Sequence, residues 1–142
     1  MSYLMNASIH PVSPPHVLLV EDEPALNDLV AMMLEDMGAR VTSVRTADEG
    51  LLALRSQNWT LLITDVRTPG HITGLDLAME AKQLFPMTGV IVMSGHYDPV
   101  GTPLPRGISF LPKPWPLNTF FEMVGPQLYG HVPSDAINAN LE

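Results

Sequence analysis

Val17-Leu18-Leu19-Val20-Glu21-Asp22-Glu23-Pro24 is the stretch on which the fold turns. Four consecutive aliphatic residues with no polar alternation suit a strand buried on both faces, the situation of a parallel sheet between layers of helices. Three acids end the run, and Pro24 brings a φ already suited to the first turn of a helix. Behind it Leu26, Leu29, Val30, Met33, Leu34 and Met37 recur at helical spacing up to Gly38, a natural C-terminal stop. Strand, acidic turn and amphipathic helix form one unit.

Outward from this point the unit repeats. Arg40-Val41-Thr42-Ser43-Val44, Leu61-Leu62-Ile63-Thr64, Val90-Ile91-Val92-Met93 and Ile108-Ser109-Phe110-Leu111 are further strand-like runs. Those at 61–64 and 90–93 are apolar almost throughout, as central strands are, whereas the run at 40–44 is mixed like an edge strand. Thr46-Ala47-Asp48-Glu49 reads as a capping box ahead of Leu51, Leu52 and Leu54. Thr73 through Asp76 repeats that logic ahead of Leu77, Ala78, Ala81, Leu84 and Phe85, and Pro86 closes the segment. Leu117, Phe120, Phe121 and Val124 make a last apolar helix face, which Gly125-Pro126 predicts to be short or kinked. Pro99, Gly101, Pro103, Pro105 and Gly107 argue against a regular helix between the fourth and fifth runs. The alternation predicts an α/β fold with helices on both faces of a parallel sheet.

The chain has 142 residues, the size of one ordinary domain. Residues 1–15, polar and with three prolines, read as a flexible lead-in, and residues 130–142, poor in apolar side chains, as a tail. An apolar content of 46% is enough for a packed core. With no cysteine, disulfides, thiolate metal sites and cysteine nucleophiles are excluded, and a cytoplasmic location is expected. Seven Lys and Arg against fifteen Asp and Glu give a formal charge of −8, the wrong sign for direct nucleic-acid binding. No apolar run approaches the ~20 residues that span a bilayer, so membrane insertion is not expected.

Polar residues collect where the strand-like runs end: Glu21 and Asp22 after the first, Asp65 after the third, Ser94 after the fourth and Lys113 shortly after the fifth. In an open α/β sheet the carboxyl ends of the strands share one edge, and ligands bind there. Gathering Glu21, Asp22 and Asp65 is costly, since two like charges about 4 Å apart repel by ~4 kcal/mol at an effective dielectric near 20. A hard divalent cation with oxygen ligands, Mg²⁺ first, suits such a cluster, and Lys113 adds a fixed positive charge. The arrangement fits phosphoryl chemistry. A carboxylate can attack phosphorus to form an acyl phosphate, and metal, ammonium and a hydroxyl such as that of Ser94 can stabilise the equatorial oxygens.

The segments Val20-Glu21-Asp22-Glu23-Pro24, Thr64-Asp65-Val66-Arg67-Thr68-Pro69-Gly70 leading to Gly74-Leu75-Asp76-Leu77, Met93-Ser94-Gly95, and Phe110-Leu111-Pro112-Lys113-Pro114-Trp115 together resemble the receiver domain of bacterial two-component response regulators, over residues 16–129. The resemblance implies a flavodoxin-like, doubly wound five-stranded parallel sheet of order 2-1-3-4-5, with the fourth helix short or irregular in this chain. It implies that Asp65 accepts a phosphoryl group from a histidine kinase or phosphotransfer protein and that a downstream protein target reads the result. Asp22 and Asp65, the backbone carbonyl of Arg67 and, through water, Glu21 would hold Mg²⁺. Ser94 takes the place of the switch hydroxyl and Phe110 that of the switch aromatic, Lys113 is the site lysine, and Lys113-Pro114 falls where a cis peptide is common. Arg67 and His96, each two residues past a site position, stand where the lifetime of the phosphoryl group is influenced. The resemblance makes the chain a phosphoacceptor that assists its own phosphorylation and dephosphorylation, not a turnover enzyme.

This sequence departs from the family pattern at three places. Thr68 replaces a common Met, and Gly74 lies nine positions after Asp65, one more than usual, which predicts a bulge around Gly70-His71. The interval from Ser94 to Lys113 is short and rich in Pro and Gly, and family members often signal or dimerise through the helix expected there; a homodimer remains possible. No output segment follows Glu142, so a stand-alone receiver or one excised from a hybrid kinase is expected. His10, His16, His71, His96 and His131 show no metal-binding spacing. Among rivals, a phosphatase using an aspartyl phosphate needs a second Asp where Arg67 stands, and a nucleotide binder needs a Gly-rich loop after the first strand. The alternative that survives is a receiver that takes no phosphate and works only by binding proteins.

Overall fold

The computed structural model describes residues 13–96 and 103–130. Nine elements follow one another: β1 (His16–Val20), α1 (Pro24–Asp36), β2 (Arg40–Val44), α2 (Ala47–Leu54), β3 (Leu61–Asp65), α3 (Gly74–Leu84), β4 (Gly89–Ser94), β5 (Ile108–Pro112) and α4 (Leu117–Leu128). All strands pair in parallel, in the order β2-β1-β3-β4-β5. The mixed run Arg40–Val44 is at an edge, and the apolar runs are inside.

Side-chain alternation along each strand divides the core in two. Val17 and Leu19 of β1, Leu61 and Ile63 of β3, and Ile91 and Met93 of β4 face α1 and α4, where they meet Val30, Leu34, Phe120 and Val124. Leu18 and Val20, Leu62, and Val90 and Val92 face α2 and α3, meeting Ala47, Leu54, Leu77 and Ala81. Complete burial of an aliphatic side chain contributes about 1.5–3 kcal/mol, so both faces resist any slip in register. The helix starts are fixed locally. Thr46 and Thr73 form reciprocal capping boxes with Glu49 and Asp76, and the Glu23 carboxylate accepts from Leu26 N at 2.7 Å to cap α1.

One expectation changes. Gly125-Pro126 does not shorten the last helix, which continues to Leu128 with Pro126 inside it. Pro126 gives up one backbone hydrogen bond, whereas Leu128 is buried in the core and the Tyr129 hydroxyl donates to Met37 O. Between β4 and β5 the described residues 103–107 form no helix, in keeping with an irregular fourth helix, and Leu104 packs against the α2–α3 side of the core. Residues 97–102, together with 1–12 and 131–142 of the expected lead-in and tail, lie outside the described residues. Among the described residues no helix is long and apolar enough to cross a membrane.

Candidate functional site

The parallel register brings the carboxyl ends of the strands level: Val20 pairs with Val44 and Thr64, Asp65 with Met93, and Ser94 with Pro112. Immediately beyond β1, Glu21 continues along β2 through Glu21 N to Val44 O at 3.1 Å. Asn27, buried on α1, donates its side-chain amide to Glu21 O at 2.9 Å and to Val44 O at 3.3 Å. That amide rivets the acidic turn to both strands. Asn27 was not singled out from sequence, although a polar residue on the same helical stripe as Val30 and Leu34 is a usable signal.

The Glu21 side chain is 1% exposed, and both its oxygens are engaged: Oε2 accepts from Glu23 N at 2.9 Å and Oε1 from Lys113 Nζ at 2.8 Å. The same ammonium lies 2.5 Å from Asp65 Oδ1. This second contact is an ion pair outside hydrogen-bonding geometry, and Asp65 Oδ1 is buried with no hydrogen-bond partner. Lys113 is itself held by its backbone N–H to Ser94 O at 3.0 Å, and its bond to Pro114 is cis. The backbone of Asp65 is equally constrained. Val66 N donates to Met93 O, Leu75 N to Val66 O, and the Thr64 hydroxyl to Asp65 O. Gly74 opens α3 so close beneath Asp65 that a Cβ there would overlap the Asp65 carbonyl oxygen.

Glu21, Asp22 and Asp65 each offer a carboxylate oxygen, and these oxygens lie within 4.8 Å of one another. Burial drives the Asp65 pKa up to about 7; the Lys113 ammonium opposes the shift and the neighbouring Glu21 carboxylate adds to it. Burial also works against the Lys113 charge, but the Asp65 and Glu21 carboxylates outweigh it and hold the lysine above its ordinary value. Three carboxylates and one ammonium sum to −2 when all are ionised, the charge a divalent cation would balance. Three hard oxygen donors without His or Cys, held close together with a net negative charge, fit Mg²⁺.

The acids lie in an open cleft of about 980 Å³. Arg67, Ser94, His96 and Lys113 share its polar side, and Leu26, Leu29, Met33, Trp115 and Leu117 its apolar side. Ser94 is half-buried, with its oxygen accepting from His96 N at 3.0 Å, while Arg67 and His96 are exposed. Phe110 is outside this cleft, half-buried on β5 against the α2–α3 side of the core. The structure therefore brings Glu21, Asp22, Asp65, Arg67, Ser94, His96 and Lys113 to one place, and Phe110 to the layer behind it. Glu23, the third acid of the turn, is occupied in capping α1.

A doubly wound parallel sheet whose carboxyl edge holds an acidic trio and a lysine defines a class of α/β domains with an acidic pocket at the strand ends. The sequence model described as "Response regulator receiver domain" matches residues 17–124, and the chain belongs to that family, the receiver domains of two-component systems. It is 31% identical over 111 residues to the DNA-binding transcriptional regulator NtrC of Salmonella typhimurium, covering 76% of this chain and 24% of that protein. It is 29% identical over 124 residues to the transcriptional regulatory protein GlrR of Escherichia coli, covering 85% and 28%. The chain thus spans about a quarter of the length of these curated relatives. Among solved structures, the receiver domain of the hybrid histidine kinase CckA is 32% identical with a TM-score of 0.67, covering 80% of this chain and 98% of that one. The chemotaxis response regulator CheY4 of Vibrio cholerae, at 21% identity, shares the fold with a TM-score of 0.72, covering 82% and 100%.

Proposed function

We propose that this chain is a phosphoacceptor that takes a phosphoryl group on Asp65 from a histidine kinase or phosphotransfer protein and changes conformation to control a downstream protein. The observation that carries the reading is the Asp65 carboxylate itself: it is buried, paired with Lys113, grouped with Glu21 and Asp22, and it lines an open cleft. In the transfer, an Asp65 oxygen forms the new bond to phosphorus while the phosphorus–nitrogen bond of a phosphohistidine breaks. The electron pair leaves with the imidazole, which takes up a proton. Asp22, Asp65 and the Arg67 carbonyl would hold Mg²⁺, with Glu21 reaching it through water; the ion supplies positive charge to the phosphoryl oxygens. Lys113, steadied by Glu21, supplies a second positive charge that needs no reorganisation.

In this reading the Ser94 hydroxyl follows the phosphoryl group and Phe110 repacks behind it; support comes from Ser94 lining the cleft. Arg67 and His96, exposed on the polar side, are placed to govern access of water and hence phosphoryl lifetime. The working unit is residues 16–129 in the cytoplasm, with protein partners, a second copy of itself among the candidates, and no direct nucleic-acid contact. Incubation with Mg²⁺ and a small acyl phosphate, read by intact mass, tests the proposal. One phosphoryl group on the wild type and none on Asp65→Ala is the expected result. No addition to the wild type, or equal addition to the variant, overturns it in favour of a receiver that acts by binding alone.

A further inference from the structure

We propose that Asp48 is a positioning residue for the phosphoacceptor site, clamping the long loop between β3 and α3 from the first turn of α2. This inference rests on the reading of Asp65 as phosphoacceptor and of the Arg67 carbonyl as a metal ligand.

The loop leaves Asp65 through Val66, Arg67 and Thr68 and reaches the Thr73 cap of α3 only after an extra residue around Gly70-His71. Left to itself, a loop one residue longer than its span requires has several ways to bulge. Two anchors on α2, Ala47 and Asp48, select one. On one side of Pro69-Gly70, Thr68 Oγ1 accepts from Ala47 N at 2.9 Å, satisfying a helix-start N–H that lacks a partner within α2. On the other side, the Asp48 carboxylate accepts from His71 N at 2.9 Å, from Ile72 N at 3.3 Å and from His71 Nδ1 at 3.2 Å.

The fit around the carboxylate is close. Gly70 has a φ of +118°, and a Cβ at that position would overlap Asp48 Oδ1. Asp48 therefore meets a backbone conformation that this glycine alone makes available. The negative charge is also favoured by its place in the first turn of a helix, and the backbone N–H donors, that of Ile72 foremost, hold its pKa below the ordinary carboxylate value. Arg67 is next to tethered Thr68, and Val66, on its other side, is fixed by Met93 O and Leu75 N. Held at both neighbours, the Arg67 peptide is restricted in how it presents its carbonyl, and Asp48 restrains the same loop further on, at His71 and Ile72. Asp48 itself is not among the family landmarks: it is 17 residues before Asp65, on α2, whereas Asp65 ends β3.

The test compares wild type, Asp48→Asn and Asp48→Ala by amide hydrogen exchange at His71 and Ile72 and by calorimetric titration with Mg²⁺ alone. Loss of protection at both amides and Mg²⁺ binding weaker by about tenfold in the Ala variant, the scale found for partners that orient metal ligands, are expected. Asn, which retains an acceptor oxygen, falls between the two. Unchanged protection overturns the clamp, and lost protection with unchanged Mg²⁺ affinity overturns its positioning role. Should Asp48→Ala fail to fold, the Asn variant carries the same two readouts. If the wild type takes up no phosphoryl group, the functional reading fails by itself, and exchange and Mg²⁺ titration still judge Asp48.

Discussion

The Cα of Gly74 packs against the carbonyl oxygen of Asp65, leaving no room for a side chain between the start of α3 and the end of β3. Gly74→Ala must push the helix away from the strand, and overpacking of this kind costs about 1–3 kcal/mol. Urea denaturation of the variant is expected to show that loss. Phosphoryl uptake from a small acyl phosphate is expected to slow in the same variant, because the displaced backbone is that of the acceptor residue.

The raised pKa of Asp65 has a definite sign in the stability profile. The folded state keeps this proton up to about pH 7, whereas the unfolded chain releases it near pH 3.8, the ordinary value for an Asp side chain. Between those limits the native state binds more protons, so the contribution of Asp65 to stability is present at low pH and falls as pH rises to about 7. Asp65→Asn removes this dependence. In magnesium-free buffer the variant is expected to be more stable than wild type above about pH 7, the difference shrinking toward about pH 4. Thermal melts across that range check it.

Lys113 is the cation between Glu21 and Asp65. Lys113→Met leaves two buried carboxylates facing each other, a change of the kind that costs about 3 kcal/mol when a buried pair loses one partner. Part of the loss is expected to return with Mg²⁺, which stabilises only the folded state. The melting temperature of the variant should therefore rise more on adding Mg²⁺ than that of wild type.

Asn27→Leu removes two hydrogen bonds at once, those to Glu21 O and Val44 O. Val44 O keeps its bond from Glu21 N, so the loss falls mainly on Glu21 O, and a buried acceptor left without a donor costs about 1–3 kcal/mol. A lowered urea midpoint and weaker Mg²⁺ binding are both expected, since the amide holds the turn that carries Glu21 and Asp22. Retention of wild-type Mg²⁺ affinity would show that the turn holds its shape without it.

Much of this molecule is readable from local sequence. The strand at 17–20 and those at 61–64 and 90–93 are apolar on both faces because helices cover both, and the two Thr capping boxes are self-contained four-residue patterns. Asp65 and Lys113 stand out because strand ends must converge on one edge once the sheet is parallel. What stays hidden depends on distance across the fold. Asn27 acquires its meaning only from its contact with Val44, and Asp48 only from a loop 23 residues further along. Gly125-Pro126 misleads for the complementary reason, since local helix breaking is outweighed by the burial of Leu128.

Lys113 reaches Glu21 across 92 positions of sequence, from the last strand of the sheet to the first. The acids stand at the ends of β1 and β3 and their counter-charge just past the end of β5, so the charge balance of the pocket depends on β5 being docked on β4. A lesion that loosens the fifth strand is thus felt further across the sheet, where two buried acids lose the cation that holds them side by side.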